Sequence, residues 1–265
     1  MSTHHATAVI HEATRLADSV TVGPYAVIED GVEIGENVLI GEHTVIRSGT
    51  VIGEGAHIDA NCVIGGLPQD IGFDPTTPSG VRIGAKTVLR EGVTVNRATV
   101  SGTFTEVGAD CYFMTCAHAG HDCVIGDGVI VGNGALLSGH LKVGTNAFIS
   151  GSVGVHQFCH IGEGAIAGGL ARISQDLPAF CMMTERNELI GLNLVGLQRR
   201  GADRATIAEL KKLYRMVFSF EGRPSVLAEG LLKDGVASSR EGIVFLSSLI
   251  NCSKKGVMRP RQRRK

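Results

Sequence analysis

Tryptophan is missing from the chain, and aromatic residues make up only 5% of it. Bulky rings fill the wide cores of ordinary globular folds, so their scarcity points to a narrow interior. Charge of one sign is also missing: 25 basic side chains balance 26 acidic ones, and a net charge of −1 excludes a globally basic nucleic-acid binder. No apolar run is long enough to span a bilayer. The opening MSTHHATAVIHE lacks the apolar core of a signal peptide. Seven cysteines are an odd number for a disulfide framework, and a reducing cytoplasm suits them. Glycine, by contrast, is plentiful at 36 residues. A length of 265 residues suits one large domain plus a small one.

An aliphatic residue returns every sixth position: Ile10, Leu16, Val22, Ile28, Ile34, Ile40, Ile46, Ile52, Ile58 and Ile64. The beat resumes at Ile83, Leu89 and Val95, passes Ser101 in phase, and runs from Val107 to Ile173, for 26 hexads in all. Four residues after most anchors stands a small or medium side chain, such as Ala26, Val32, Thr87, Thr99 or Cys111. Cys62, Cys123 and Cys159 share that slot and read as core filler rather than metal ligands. Glycine often follows the anchor, as in Ile34-Gly35 and Ile40-Gly41, where a tight corner is expected. A repeat this short identifies a parallel β-helix. Three hexads close a triangular coil of eighteen residues, and at about 4.8 Å per coil the prism stands roughly 40 Å tall. Separate amphipathic strands would not keep one phase for so long.

The expected organisation is a β-helix over residues 1–190, a helical piece over 191–253 and a basic disordered tail over 254–265. Ile64 to Ile83 spans 19 residues, one more than a full coil, and the proline-rich stretch within 65–82 should leave the prism as a loop. Residues 101–106 lack an aliphatic anchor and should bulge. Past Pro178 the period becomes helical, with Asp203 an N-cap, a second helix near Ser225–Lys233, and a capping box at Ser238-Ser239-Arg240-Glu241 opening a third. The tail KKGVMRPRQRRK reads either as a solvated end or as a lure for an acidic partner or anionic membrane.

Phase also sorts the histidines. His121 is third in the Ala119 hexad; eighteen residues on stand Gly139 and His140, and after eighteen more His156 and Gln157. They should stack on one side of the prism, with Gly139 an open shelf beside His121. Such a column suits acyl transfer. Imidazole titrates near working pH and can take a hydroxyl proton; Asp122 can hold its tautomer; a bare N–H at Gly139 can receive an oxyanion. The bland alternative is corner decoration, as for His43 and His57.

The stretches 117–140 and 153–169, Gln175-Asp176-Leu177-Pro178 and GLNLVGLQRRG (191–201) resemble the UDP-N-acetylglucosamine O-acyltransferases of lipid A biosynthesis, in the hexapeptide-repeat acyltransferase superfamily. The resemblance covers nearly the whole chain. It implies a left-handed β-helix and a cytoplasmic homotrimer with clefts between prisms. The implied reaction moves a 3-hydroxyacyl chain from acyl carrier protein to the 3-OH of UDP-N-acetylglucosamine. No cofactor or metal is called for, since the acyl chain arrives on phosphopantetheine. The resemblance puts the base on His121, its acid on Asp122 and the oxyanion donor on Gly139. It puts substrate contacts on Asp70, His118, His140, His156 and Gln157, nucleotide contacts on Asn193, Arg199 and Arg200, and the acyl-length ruler on Gly169; the eighteen-residue steps Asn133, Gly151 and Gly169 form a small-residue column that suits an acyl groove. Two departures stand out. Gln69-Asp70-Ile71 is followed by Gly72 where the family carries Lys, and TERNELIG (184–191) replaces a Gly-Asn-rich turn. Both leave open a 3-amino sugar as acceptor. A zinc protein like the γ-class carbonic anhydrases is the remaining enzyme reading, although His118 and His121 lack that class's ligand spacing. A non-catalytic scaffold is the other alternative.

Overall fold

The computed structural model describes residues 3–218 and 222–260. Strands of mostly two residues take the three faces of a prism in turn: Thr3–His4 on the first, Val9–Ile10 on the second, Arg15–Leu16 on the third. Thr21–Val22 then returns to pair in parallel with Thr3–His4, eighteen residues on. Among the described residues the faces hold 12, 9 and 8 strands. From Val20 onward, anchors and the small residues two places before them point inward and are almost fully buried, Cys62, Cys111, Cys123 and Cys159 among them. Burial pushes the Cys62 and Cys123 thiols up to about 12, as inert filler requires.

The corners work differently from the sequence expectation. Glycines directly after an anchor keep ordinary backbone angles; what they supply is clearance, since a Cβ on Gly41 would lie 2.6 Å from Ala60 N in the next coil. The left-handed turn falls two residues later, often on a non-glycine such as Asn37 or Asn61, at φ 57° and 59°.

Two insertions break the beat. Val63–Gly66 lies on the second face and Gly80–Ile83 on the third. Ile64 to Ile83 therefore spans one side of six residues, and thirteen are inserted. Thr94–Asn96 and Phe104–Val107 likewise occupy successive faces. Ser101 is exposed in a six-residue bulge rather than an anchor, leaving 25 hexads instead of 26. Both excursions leave the corner between the second and third faces, in the two coils below His121.

Beyond the prism Cys181–Thr184 extends the first face, and Glu188–Leu192 adds an antiparallel strand. Among the described residues four helices follow: α1 (Leu194–Arg199), α2 (Arg204–Phe218), α3 (Pro224–Lys233) and α4 (Arg240–Ile250). The short α1 has no counterpart in the sequence expectation. Asp203 accepts the Thr206 N–H at 2.7 Å, and Ser239 caps α4 by accepting the Gly242 N–H at 2.9 Å. The expected capping-box carboxylate is not Glu241. Glu209 of α2 instead accepts from the N–H and hydroxyl of both Ser238 and Ser239. Leu210, Leu213, Phe245 and Leu249 join the helices to the core of the prism. No described helix is long and apolar enough to cross a membrane.

Disorder from residue 254 is contradicted over 254–260. The buried Asp176 carboxylate accepts from Ser253 N–H and hydroxyl, Asp176 and Val257 form a bridge, Met258 is fully buried, and Arg259–Pro260 pairs with Glu188–Leu192. One apolar anchor and a buried carboxylate hold a segment that composition alone reads as free. Residues 261–265 lie outside the described residues.

Candidate functional site

His121 and Asp122 sit on the corner between the second and third faces, after strand His118–Ala119. His121 Nδ1 meets Asp122 Oδ2 at 2.7 Å, so Nδ1–H donates to the carboxylate and Nε2 is left as the basic atom. Asp122 also accepts from the Thr99 N–H at 3.0 Å and the Thr99 hydroxyl at 2.8 Å, and its own N–H donates to Thr105 Oγ1 at 2.8 Å. Burial alone would raise the Asp122 carboxyl. The bonds from His121 and Thr99 and the nearby His140 outweigh it and hold the group below the usual carboxylate range.

The next coil places Gly139 against the His121 ring. A Cβ on Gly139 would stand 2.6 Å from His121 Cε1 and 2.7 Å from Nε2, so any larger residue would displace the ring. The His140 N–H donates to His121 O at 2.9 Å, while the Gly139 N–H donates to no described group. A Cβ on Gly120 would lie 2.7 Å from Gly139 N, so that glycine keeps the N–H uncovered.

These groups line a cleft of about 640 Å³ together with His118, His156, Gln157 and Gln69. His118 points outward, with Nδ1 and Thr94 Oγ1 2.8 Å apart. Burial, then the neighbouring His121, lowers its pKa, with Thr94 partly offsetting them. The His156 ring bonds its neighbour's carbonyl, Gln157 O, at 3.1 Å. His140 turns to the other side of the corner, where a second pocket of about 630 Å³ opens towards Lys142, Phe158 and Lys255.

Other expected residues lie elsewhere in the single chain. Asp70 is exposed and accepts its own loop's Gly72 N–H at 2.9 Å; Gln69 is the loop residue on the cleft wall. Asn193 is buried as the N-cap of α1: its Oδ1 accepts from Gly196 and its Nδ2 donates to Gly164 O, both at 2.9 Å. Arg200 packs over Phe180, and burial lowers its pKa against the pull of Glu163 and Glu241. Asn193 and Arg200 thus gather at the corner between the third and first faces, one side of the prism away from His121, and Arg199, exposed like Arg200, ends α1 next to them in the chain. Gly151 and Gly169 stack on the remaining corner, where added Cβ atoms would come no closer than 3.4 Å to Asn133 O and 3.7 Å to Gly151 O.

Thr99 is the site residue that phase reading misplaces. It counts as an inward slot, yet the bulge turns it onto Asp122. The missing anchor at Ser101 is the signal that marks it. His121, Asp122 and His140 bring ligand atoms within 4.8 Å of one another. The 2.7 Å between Nδ1 and Oδ2 is a hydrogen-bond distance, shorter than the about 3.3 Å between two ligands around tetrahedral zinc. His118, the partner weighed from sequence, is not in the group.

Comparison with known proteins adds an independent line. Residues 13–48 and 104–139 match the family described as bacterial transferase hexapeptide (six repeats), and residues 176–258 match that described as UDP N-acetylglucosamine O-acyltransferase, domain 2. A Sulfurihydrogenibium protein named acyl-(acyl-carrier-protein)–UDP-N-acetylglucosamine O-acyltransferase is 52% identical, over 98% of this chain and 96% of that one. One of the same name from Chlorobium phaeobacteroides is 61% identical over 82% of this chain and 83% of its own. The UDP-N-acetylglucosamine acyltransferase structure from Francisella novicida superposes with a TM-score of 0.91 at 31% identity, covering 98% of this chain and 95% of that one. The Campylobacter jejuni enzyme gives 0.89 at 31%, covering 97% and 100%. With the hexapeptide match and these superpositions, the prism is a left-handed parallel β-helix.

Proposed function

The chain belongs to the acyl-carrier-protein-dependent UDP-N-acetylglucosamine O-acyltransferase family, and from that premise we propose how its second corner performs the transfer. The enzyme moves an acyl chain from acyl carrier protein to UDP-N-acetylglucosamine in lipid A biosynthesis. In our reading His121 Nε2 takes the proton of the sugar 3-OH as its oxygen attacks the thioester carbonyl of a 3-hydroxyacyl chain. Asp122 holds the tautomer and stabilises the imidazolium. The carbonyl oxygen becomes an oxyanion on the Gly139 N–H. Collapse re-forms the carbonyl, breaks the carbon–sulfur bond and sends the imidazolium proton to the departing phosphopantetheine thiolate. The base contributes about 10²–10⁴ in rate and the oxyanion donor about 10²–10³.

One observation carries the reading: His121 is tied to Asp122 through Nδ1 while its ring packs on Gly139, whose N–H donates to no described group. His118, His156 and Gln157 line the same cleft and serve as substrate contacts. Across the second face, Gly151 and Gly169 keep a shelf open for the alkyl chain.

Arg199 and Arg200 fit a diphosphate, but in one chain they stand on another corner. A homotrimer resolves this, because a neighbouring prism can turn its arginine corner towards the His121 cleft. The reading places the enzyme in the cytoplasm.

Purified protein given UDP-N-acetylglucosamine, its 3-amino analogue and a panel of 3-hydroxyacyl carrier proteins is expected to form the ester with the first sugar, unaffected by chelator. Amide formation on the analogue alone would replace the acceptor. No transfer to either, or activity that follows bound zinc, would overturn the proposal.

A further inference from the structure

The third residue after an anchor takes the left-handed turn, so residues eighteen apart at that place project above one another. At the catalytic corner the succession is Asp122, His140 and Phe158, at φ 59°, 59° and 68°. The rise of about 4.8 Å per coil falls within ring-stacking range, and the Phe158 ring lies flat on the His140 imidazole, 4.6 Å between centroids and 10° between planes. Lys255 Nζ stands over the Phe158 ring at 5.9 Å, within cation–π reach. Lys255 is itself held: its N–H donates to Ser253 Oγ at 3.0 Å, and that hydroxyl donates to the buried Asp176.

Phe158 is 46% exposed, so the core does not explain it. His140 Nε2 lies 3.7 Å from Asp122 Oδ2, and the His121 ring meets the His140 ring edge-on at 5.0 Å. The other titratable groups beside His140 are Lys142, His160, Lys254 and Lys255 on the walls of the adjoining pocket. Left alone, an imidazole at a corner would exchange rotamers; a flat ring above it removes that freedom.

We infer that Phe158 is a positioning residue for acyl transfer, stacked on His140 so that this imidazole stays against the Asp122 carboxylate. The inference rests on the reading of Asp122 as partner of the base. His140 and Thr99 then flank the carboxylate and keep it on His121 Nδ1.

A double-mutant cycle tests it. Leucine already takes this corner conformation at Leu170, φ 61°, so Phe158→Leu is compatible with the fold. The expected result is a fall in kcat of about tenfold with KM for both substrates within about twofold, and less than about twofold further loss when His140→Ala is already present. Phe158→Tyr, which keeps the ring, should retain wild-type kcat. In histidine-13C-labelled protein the ring-current shift of His140 should vanish in Phe158→Leu. An equal loss in both backgrounds, or a raised KM at unchanged kcat, would overturn the inference. His121→Ala measured alongside separates the two claims, since activity retained there sinks the base and not the stack.

Discussion

A single methyl group at Gly139 would collide with the His121 ring at 2.6 Å. Gly139→Ala should therefore push the base out of place while leaving the coil wound. A loss of at least about 100-fold in kcat at near-wild-type melting temperature is expected; normal activity in the alanine variant would show that the corner is not the reacting centre. His118 makes a second prediction. Burial and His121 hold its folded pKa below the ordinary value of about 6.5. The unfolded chain then takes the proton first, so stability is complete above about pH 6.5, falls as pH drops through that value, and levels off once folded His118 is protonated. Melting curves from pH 7.5 to 5.5 should show a shallower decline in His118→Gln than in wild type. Parallel declines would contradict the assignment. His121, Asp122 and Gly139 were legible because phase is a ruler: eighteen residues return a side chain to the same corner. Asn193 was not, because a buried helix cap and a ligand contact call for the same amide.

At the scale of elements, the hexad predicts each two-residue strand and its face, since inward and outward places alternate regularly. It fails where the added chain is a multiple of six residues, or one residue off it. Six inserted residues look like a hexad with a poor anchor, and thirteen look like a coil with one residue too many. Only the pairings of Gly80–Ile83 with Thr50–Ile52 and of Phe104–Val107 with Gly80–Ile83 show which corner each insertion leaves. The C-terminal segment fails for another reason: its order comes from Asp176, 77 residues earlier in the chain, not from its own composition. A chain ending after Cys252 would lose those bonds and Met258, and would leave the buried carboxylate short of partners. A melting temperature lower by several degrees is expected, read by calorimetry; an unchanged value would mean that the clasp is ornamental.

For the whole molecule, the prism places three sets of residues on three corners: His121, Asp122 and Gly139 on one, Arg200 with Asn193 on the next, Gly151 and Gly169 on the third. Handedness and family follow from relatives, because six-residue periodicity is the same in either sense of winding. Assembly by a threefold axis predicts that His121→Ala and Arg199→Ala, each strongly impaired alone, complement when refolded together. With each site built from two copies, about a quarter of the sites in an equal mixture are intact. Activity no greater than that of the separate variants would place the arginines outside the site.

The decisive measurement is the rate of acyl transfer by His121→Ala at saturating substrates, compared with wild type. A folded variant slowed by about 10²–10⁴ is the predicted result. A rate within a few-fold of wild type would contradict it and leave the Gly139 corner without a base.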